Sequence, residues 1–480
     1  TKDPERYASA ANQWEGLDPT YLHGIVRGFT QAIQKSQQFT WEPVLTLCSW
    51  VLQQPREIPG RNVDRWEADP DWGGTRWWIV ELIRIGFQHE TLAIPIELRE
   101  TAWRLLEILT SDPDPEPEDE EEDYGRPGQS MHRAINSVRG RASEGIIFYP
   151  GWIRQQTANA AGIDLSQAPQ AQLPPEARAV LDLHLDPQGE RSLAIRSLYG
   201  RWIPWLLVFD RPWATATVPR IFTEQDQRYW LVAWDGFISF NEAYEETFEP
   251  LQPVYRHAVA QLGTEANQED DTRNLREERL AAHLMTFYWR GHYNLEETDS
   301  LLRRFFSVAS DKIRGEAVEY IGRSLERTIQ PIEPAILDRL QRLWMWRLEE
   351  GRRDPGSHRA ELKAFGWWFH SGKSDERWAI EQLQHVLRLA GGIDPDYLVL
   401  DQLAEQVVTF PHEVLTCIRL LIEGQHDLLE IVSWAKDLRS IFTHTQAHQS
   451  VEVRRASNDV IELLGRRGDL GYRDLLSPDA

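Results

Sequence analysis

The sequence predicts an all-α fold, an irregular solenoid of stacked helix pairs. Three observations carry this. Apolar residues recur at three- and four-residue intervals, the period of one helical face, through most of the chain. These segments run for about 12–25 residues between breaks rich in Gly, Pro, Asp and Asn. Period-2 alternation of β-branched residues is scarce, while short phrases recur along the chain at imperfect spacing.

The first stretch, 1–110, reads as helices separated by Trp-rich loops. Between Trp41 and Leu52 the apolar positions are 41, 44, 45, 48, 51 and 52, and Pro43 sits where a first helical turn tolerates it. Trp77 to Phe87 and Ile96 to Leu109 repeat the pattern. Residues 111–130 break it. Alternating prolines from Pro113 to Pro117 lead into six consecutive acids, Glu118 to Asp123. Prolines at that spacing cannot continue a helix and the like charges repel, so this segment is expected to be an exposed, solvated linker. It lacks the ligand-and-glycine order of a calcium loop.

From 131 to 480 the helical pattern resumes. Residues 163–173 read as a loop, and Pro174-Pro175-Glu176 starts a helix that stops at Asp186-Pro187. Further breaks are expected at 210–218, 262–272, 290–297, 330–334, 351–357, 371–375 and 391–396. The best strand candidate is Arg228 to Phe240, although its apolar spacing fits a helix nearly as well.

Two phrases match at an offset of 60 residues: Ile135-Asn136-Ser137-Val138-Arg139-Gly140-Arg141 and Ile195-Arg196-Ser197-Leu198-Tyr199-Gly200-Arg201. Ile313-Arg314-Gly315 and Val453-Arg454-Arg455 echo them. A small residue there allows close helix packing, and the arginine can reach carbonyls or an acidic loop in its neighbour. Imperfect self-similarity of this kind is what a HEAT-like solenoid presents. The 21 tryptophans are expected mainly to fill gaps between helix layers, with a minority available as a binding surface.

Composition narrows the function. Lys and Arg total 52 against 75 Asp and Glu, a net charge of −23 that repels nucleic acid and anionic membranes, although a local basic patch is compatible with it. No apolar run approaches the ~20 residues of a membrane-spanning helix. Cys48 and Cys417 sit in apolar contexts without CxxC spacing, as buried thiols of a cytoplasmic protein do. The chain opens on Thr1 without an initiator Met or a signal-peptide pattern, which reads as a piece of something longer or a trimmed chain.

One motif matches a phosphate-binding loop, Gly366-Trp367-Trp368-Phe369-His370-Ser371-Gly372-Lys373-Ser374. Such a loop needs a preceding strand and a small, flexible cradle. Here the preceding residues, 358–365, read as a helix, and the cradle would hold two tryptophans, a phenylalanine and a histidine. The better expectation is a helix ending at Phe369 or His370, a turn, and a new helix opening with Asp375-Glu376. His444 and His448 are spaced to share one helix face, but no Glu follows His444 and further zinc ligands are wanting. His283 and His292 flank an aromatic helix and read as structural. There is no G-x-S-x-G, and neither cysteine carries a catalytic signature. No residue is assigned a catalytic, cofactor or metal role.

Ile135 to Gly140, Ser197 to Arg211 with Trp234 to Tyr244, and Gly366 to Trp378 resemble segments in the C-terminal helical regions of large bacterial antiviral-defence proteins. Those proteins carry an N-terminal effector or a STAND-type NTPase. The resemblance spans roughly 40–475. It implies a sensor or scaffold region that binds a protein partner, either an effector subunit or a foreign protein, and that sits in an oligomer. The alternative expectation is a stand-alone inhibitor or adaptor that holds an effector inactive until cleaved in 111–130. An enzyme acting through Gly366–Ser374 is the third.

Overall fold

The structure, a computed structural model, describes residues 3–59, 71–118, 120, 126, 128–262, 271–297, 299–425 and 428–476. Among them every regular element is helical. The chain divides into two compact units, Thr1–Val254 and Tyr255–Ala480.

The helices of the first unit are α1 (Pro4–Ser9), α2 (Pro19–Gln34), α3 (Trp41–Gln53), α4 (Gly73–Gln88), α5 (Arg99–Thr110), α6 (Gln129–Asn136), α7 (Val138–Ala161), α8 (Pro175–His184), α9 (Leu193–Phe209), α10 (Arg211–Ile221) and α11 (Gln227–Phe240). Helix α12 (Gln252–Gln261) carries the chain into the second unit. That unit continues with α13 (Asp271–Arg290), α14 (Leu301–Val308), α15 (Asp311–Arg327), α16 (Pro334–Arg353), α17 (Arg359–Lys363), α18 (Phe365–His370), α19 (Glu376–Ala390), α20 (Asp396–Gln406), α21 (Pro411–Gly424), α22 (Leu428–Ser433), α23 (Ala435–Gln446) and α24 (Val451–Arg466).

Caps explain many of the starts. Asp18, Ser137, Ser192, Asp210, Ser310 and Asp375 each accept a hydrogen bond from an amide in the first turn of the helix that follows. Gly162 and Gly391 close α7 and α19 in the left-handed region, φ +64° and +68°. The six apolar positions read between Trp41 and Leu52 are all buried.

Within each unit helices pack on ones two or three places ahead: α5 on α7, α7 on α9 and α9 on α11, but also α4 on α7 and α6 on α9, and later α13 on α15 and α19 on α21 beside α15 on α18 and α21 on α24. The α9–α11 crossing is the closest. A Cβ on Gly200 would lie 1.8 Å from the Ala233 carbonyl oxygen, and one on Gly236 would lie 2.2 Å from that of Ser197. Only glycine lets these two backbones touch. Tryptophans fill the space between helices. Trp152 and Trp344 are 1% exposed and Trp368 2%, and the indole N–H groups of Trp152 and Trp368 donate to the carbonyls of Ile94 and Val318.

Several expectations change. The strand candidate Arg228 to Phe240 is helix α11. The break at 210–218 shrinks to a cap at Asp210, because Pro212 occupies the first turn of α10 and costs it no hydrogen bond. The break at 351–357 starts later, since α16 runs on through buried Gly351 to Arg353. Of the break at 262–272, residues 263–270 lie outside the described residues.

The acidic segment departs furthest from its expected solvated form. Asp112 is 2% exposed and pairs with Arg56 and Arg76 at 3.3 and 3.1 Å. Asp114 accepts from the Val138 amide at the start of α7. Glu120, 4% exposed, accepts from the Ser192 hydroxyl and from the amides of Leu193 and Ala194, which open α9. Asp114 and Glu120 are consumed at helix starts and Asp112 in ion pairs, so these residues tie the segment into the first unit. Asp119, residues 121–125 and Pro127 lie outside the described residues.

Candidate partner-binding groove

The first unit carries an open apolar groove of about 660 Å³. Its floor and walls come from the C-terminal end of α4, the middle of α7, the loop 165–171 and the second half of α9. Phe87, Phe148, Trp152, Trp202, Trp205 and Phe209 are its aromatic lining.

Each wall is fixed by local chemistry. Trp152 donates to the Ile94 carbonyl at 2.9 Å and stacks on Tyr149, whose hydroxyl lies 2.8 Å from Arg99 Nε and 2.9 Å from Glu176. Burial is the chief reason the Tyr149 phenol is pushed up to about 12. Arg154 pins the loop wall by donating to the carbonyls of Pro169, Leu165 and Ala168 at 2.8, 2.7 and 3.2 Å. His89 accepts from the amides of Thr91 and Leu92 through Nδ1, which leaves its neutral-form proton on Nε2.

Behind the aromatic wall lies an ionic layer shared by α4, α7 and α9. Arg84 pairs with Glu81 at 2.7 Å, Arg141 with Glu144 at 2.6 Å, and Arg201 lies 3.7 Å from Glu144. Arg84 sits over the Phe148 ring at 5.8 Å and Arg201 over the Trp202 ring at 4.9 Å. The guanidiniums hold the rings from the back and leave their other sides to the groove.

Two features do not serve the fold. Trp205 lines the groove while 52% exposed, in contact with Phe209 at 5.9 Å. Trp202 Nε1 is buried and, among the described residues, has no hydrogen-bond partner. An indole N–H kept from water without an acceptor costs about 1–3 kcal/mol. The groove thus exposes aromatic area at Trp205, beside a buried indole donor of Trp202 left without an acceptor among the described residues.

The motifs singled out in the sequence lie elsewhere. Gly366–Ser374 is all of α18 after Phe365, a turn with Gly372 at φ +62°, and the approach to α19, which Asp375 caps. Gly366 is required because a Cβ there would meet the Asp394 carbonyl oxygen at 2.3 Å; the glycine serves helix packing, in place of the strand–loop–helix a phosphate loop needs. His444 and His448 do not share a helix face. Helix α23 ends at Gln446, and His448 lies in the following turn, where its Nδ1 accepts from the Ser450 amide. His283 bonds the Tyr255 hydroxyl at 2.8 Å and His292 packs on Phe287. Cys48 and Cys417 are buried, and burial raises both thiols, that of Cys48 to about 12. Among the described residues no three His, Cys, Asp or Glu side chains come together as metal ligands, and no helix is long and apolar enough to cross a membrane.

No family model, curated protein or solved structure matches the chain.

The groove was missed in the sequence because its residues come from four separate segments. The one signal available was the spacing of Trp202, Trp205 and Phe209 at i, i+3 and i+7 on α9, which reads as a core stripe as readily as a binding face.

Proposed function

We propose that the chain is a non-catalytic protein-recognition or scaffold module, the partner-binding region of a bacterial antiviral-defence system, built as an irregular solenoid of HEAT-like helix pairs. Packing between helices two and three places apart in the chain supports the solenoid reading, since each layer of such an array meets its near neighbours in sequence, and the mixture of the two spacings is what makes the array irregular. The observation that carries the recognition reading is Trp205, half exposed beside the unpartnered N–H of Trp202. Tryptophan in a partly desolvated pocket is the residue type that most often dominates a protein interface. The occupant we infer is a partner segment with an aliphatic or aromatic anchor and a carbonyl that accepts from Trp202. The chain's charge of −23 favours a partner of basic surface, which the field would steer inward.

The test uses the full chain as bait in extracts of infected and uninfected cells, followed by affinity measurement with the purified captured protein. Trp205→Ala is expected to weaken binding by at least about 30-fold, as the loss of roughly 2 kcal/mol at a hot spot requires. Trp202→Phe keeps the ring and removes the N–H, and is expected to weaken it about tenfold. Binding unaffected by both substitutions would remove the groove from the interface. Absence of any specific partner would remove the reading itself.

A further inference from the structure

The second unit holds a polar pocket of about 860 Å³ whose character is opposite to that of the chain as a whole. Four arginines reach its wall: Arg303 and Arg304 from α14, Arg314 from α15 and Arg347 from α16, joined by His358. The carboxylates lining it are Asp299 and Glu350, and Glu350 is engaged by Arg353 at 2.8 Å. A protein carrying 23 excess acids has thus concentrated cations here.

Two of those cations are built in. Arg314 and Arg347 are 7% and 2% exposed, and both converge on Glu361, which is fully buried: Arg314 Nε at 2.8 Å, Arg347 Nε and Nη2 at 2.5 and 3.1 Å. Arg314 also donates to the carbonyls of Ala309 and Ser357. With Asp311 3.7 Å from Arg314, the two guanidiniums face two carboxylates and this network is formally neutral, so the cationic excess at the pocket comes from Arg303 and Arg304. At the mouth, Arg303 lies over the Trp346 ring at 4.9 Å and donates to the Leu295 carbonyl. Among the described residues neither Arg303 nor Arg304 has a carboxylate within ion-pair distance.

The independent observation is Ser300. It occupies the cap position of α14 and lines the pocket, is 5% exposed, and its hydroxyl has no partner among the described residues. A serine at that position ordinarily bonds a first-turn amide, but this one does not. A helix start, a buried unpartnered hydroxyl and an excess of guanidiniums all lack the same complement, a multivalent oxyanion.

We propose that this pocket binds the phosphate group of a small phosphorylated molecule. A phosphate oxygen accepts from Ser300 Oγ, the other oxygens take the guanidinium forks of Arg303 and Arg304, and the buried Arg314–Arg347–Glu361 network holds the floor in place. The volume exceeds that of one phosphate and leaves room for an organic substituent. The inference is independent of the groove in the first unit.

Titration calorimetry on the full chain tests it with inorganic phosphate and adenosine monophosphate, against chloride at matched ionic strength. Both phosphates are expected to bind with millimolar affinity or better, and tighter binding of the monophosphate would assign the rest of the pocket to the organic part. Ser300→Ala removes a hydroxyl that bonds nothing among the described residues, so it should fold as the parent does and bind each ligand about tenfold more weakly. Arg304→Gln, at an exposed position, should weaken binding similarly and reduce its dependence on salt. No heat of binding up to about 10 mM phosphate, or affinities that both variants leave unchanged, would overturn the proposal.

Discussion

Adding one methyl group at Gly200 should split the tightest crossing in the first unit. In Gly200→Ala the new carbon would stand 1.8 Å from the Ala233 carbonyl oxygen, where ordinary contact begins near 3.4 Å. The colliding atom is backbone, so no rotamer change relieves it, and α9 and α11 must move apart by more than an ångström. Overpacking a core costs about 1–3 kcal/mol and occasionally more, and a clash between two helix backbones belongs at the upper end, about 3 kcal/mol. Parting the helices also loosens Trp230, Trp234 and Phe237, which are buried along the same face of α11. For a unit of this size each kcal/mol lowers the melting temperature by about 2–4 °C, so a drop of about 6–12 °C is expected in thermal unfolding followed by circular dichroism. Gly236→Ala collides with the Ser197 carbonyl oxygen in the same crossing. Once one methyl has separated the helices the second has room, so the double variant should lose less than the sum of the two. Gly24→Ala is the control: its Cβ would meet nothing within 4 Å, and the exposed helix should gain up to about 1 kcal/mol. If Gly200→Ala melts with the parent, or the two losses simply add, the crossing is not what limits this interface.

Three further outcomes follow from burial and charge. Burial raises the Cys48 and Cys417 thiols, so neither should react with a thiol reagent in native protein at about pH 8, and both should react once urea unfolds it. Burial by itself would raise the Glu190 carboxyl, but the hydrogen bond from His184, the charge of Arg139 and the Ser192 amide outweigh it and hold the group below the ordinary glutamate value. The unfolded chain therefore binds the proton more readily; the stability Glu190 supplies is complete above about pH 4.3 and lost as pH falls through the lowered folded value. Glu190→Gln should lower the urea midpoint at neutral pH and flatten its fall on acidification, and an unchanged acid limb would contradict this. Trp152→Ala should destabilise the first unit by about 3–5 kcal/mol in urea unfolding, because the indole is 1% exposed and its N–H is satisfied, whereas Trp205→Ala should leave the midpoint in place.

How much of this was legible beforehand depended on the range of the interaction involved. Helix α3 was legible because its six apolar positions need only their own spacing, and all six are buried. The turn at 371–375 was legible because Gly372 and Asp375 act within a few residues of themselves. Segment 111–130 was not, because nothing in a run of acids tells which carboxylate meets an amide 24 residues away, as Asp114 does, or 73 and 74 residues away, as Glu120 does. The strand candidate failed for a related reason. The aromatic residues of Arg228 to Phe240 favour a pleated surface locally, whereas Gly236 allows α11 its close approach to α9, a long-range contact that local preference does not register. The groove and the basic pocket assemble residues from several helices each, and a net charge of −23 leaves room for a local basic patch without locating it.

The recurring phrases show what local matching detects and where it misleads. Aligned by spelling, Ser137 falls on Ser197 at an offset of 60 residues. Aligned by structure, Ser137 is the cap of α7 and Ser197 lies inside α9, whose cap is Ser192. In structural register the shared device is a cap serine followed four residues later by an arginine: Ser137 with Arg141, Ser192 with Arg196, Ser310 with Arg314 and Ser450 with Arg454. An arginine at that distance lies one turn into the helix and can fold back over its start. Arg196 does so to the Leu185 carbonyl, Arg314 to that of Ala309 and Arg454 to those of His448 and Gln449. Arg141 turns instead to Glu144 and Glu81, because Arg139 and the acidic segment already occupy the entry to α7. Ser137, Ser192 and Ser310 each satisfy a first-turn amide, which Ser450 does not, and at Arg196, Arg314 and Arg454 the arginine ties the incoming chain to the helix start. Substituting Arg454 by Met should therefore leave α24 helical but loosen residues 447–450, seen as faster amide exchange at Ser450; unchanged exchange there would mean that the arginine does not hold the incoming chain.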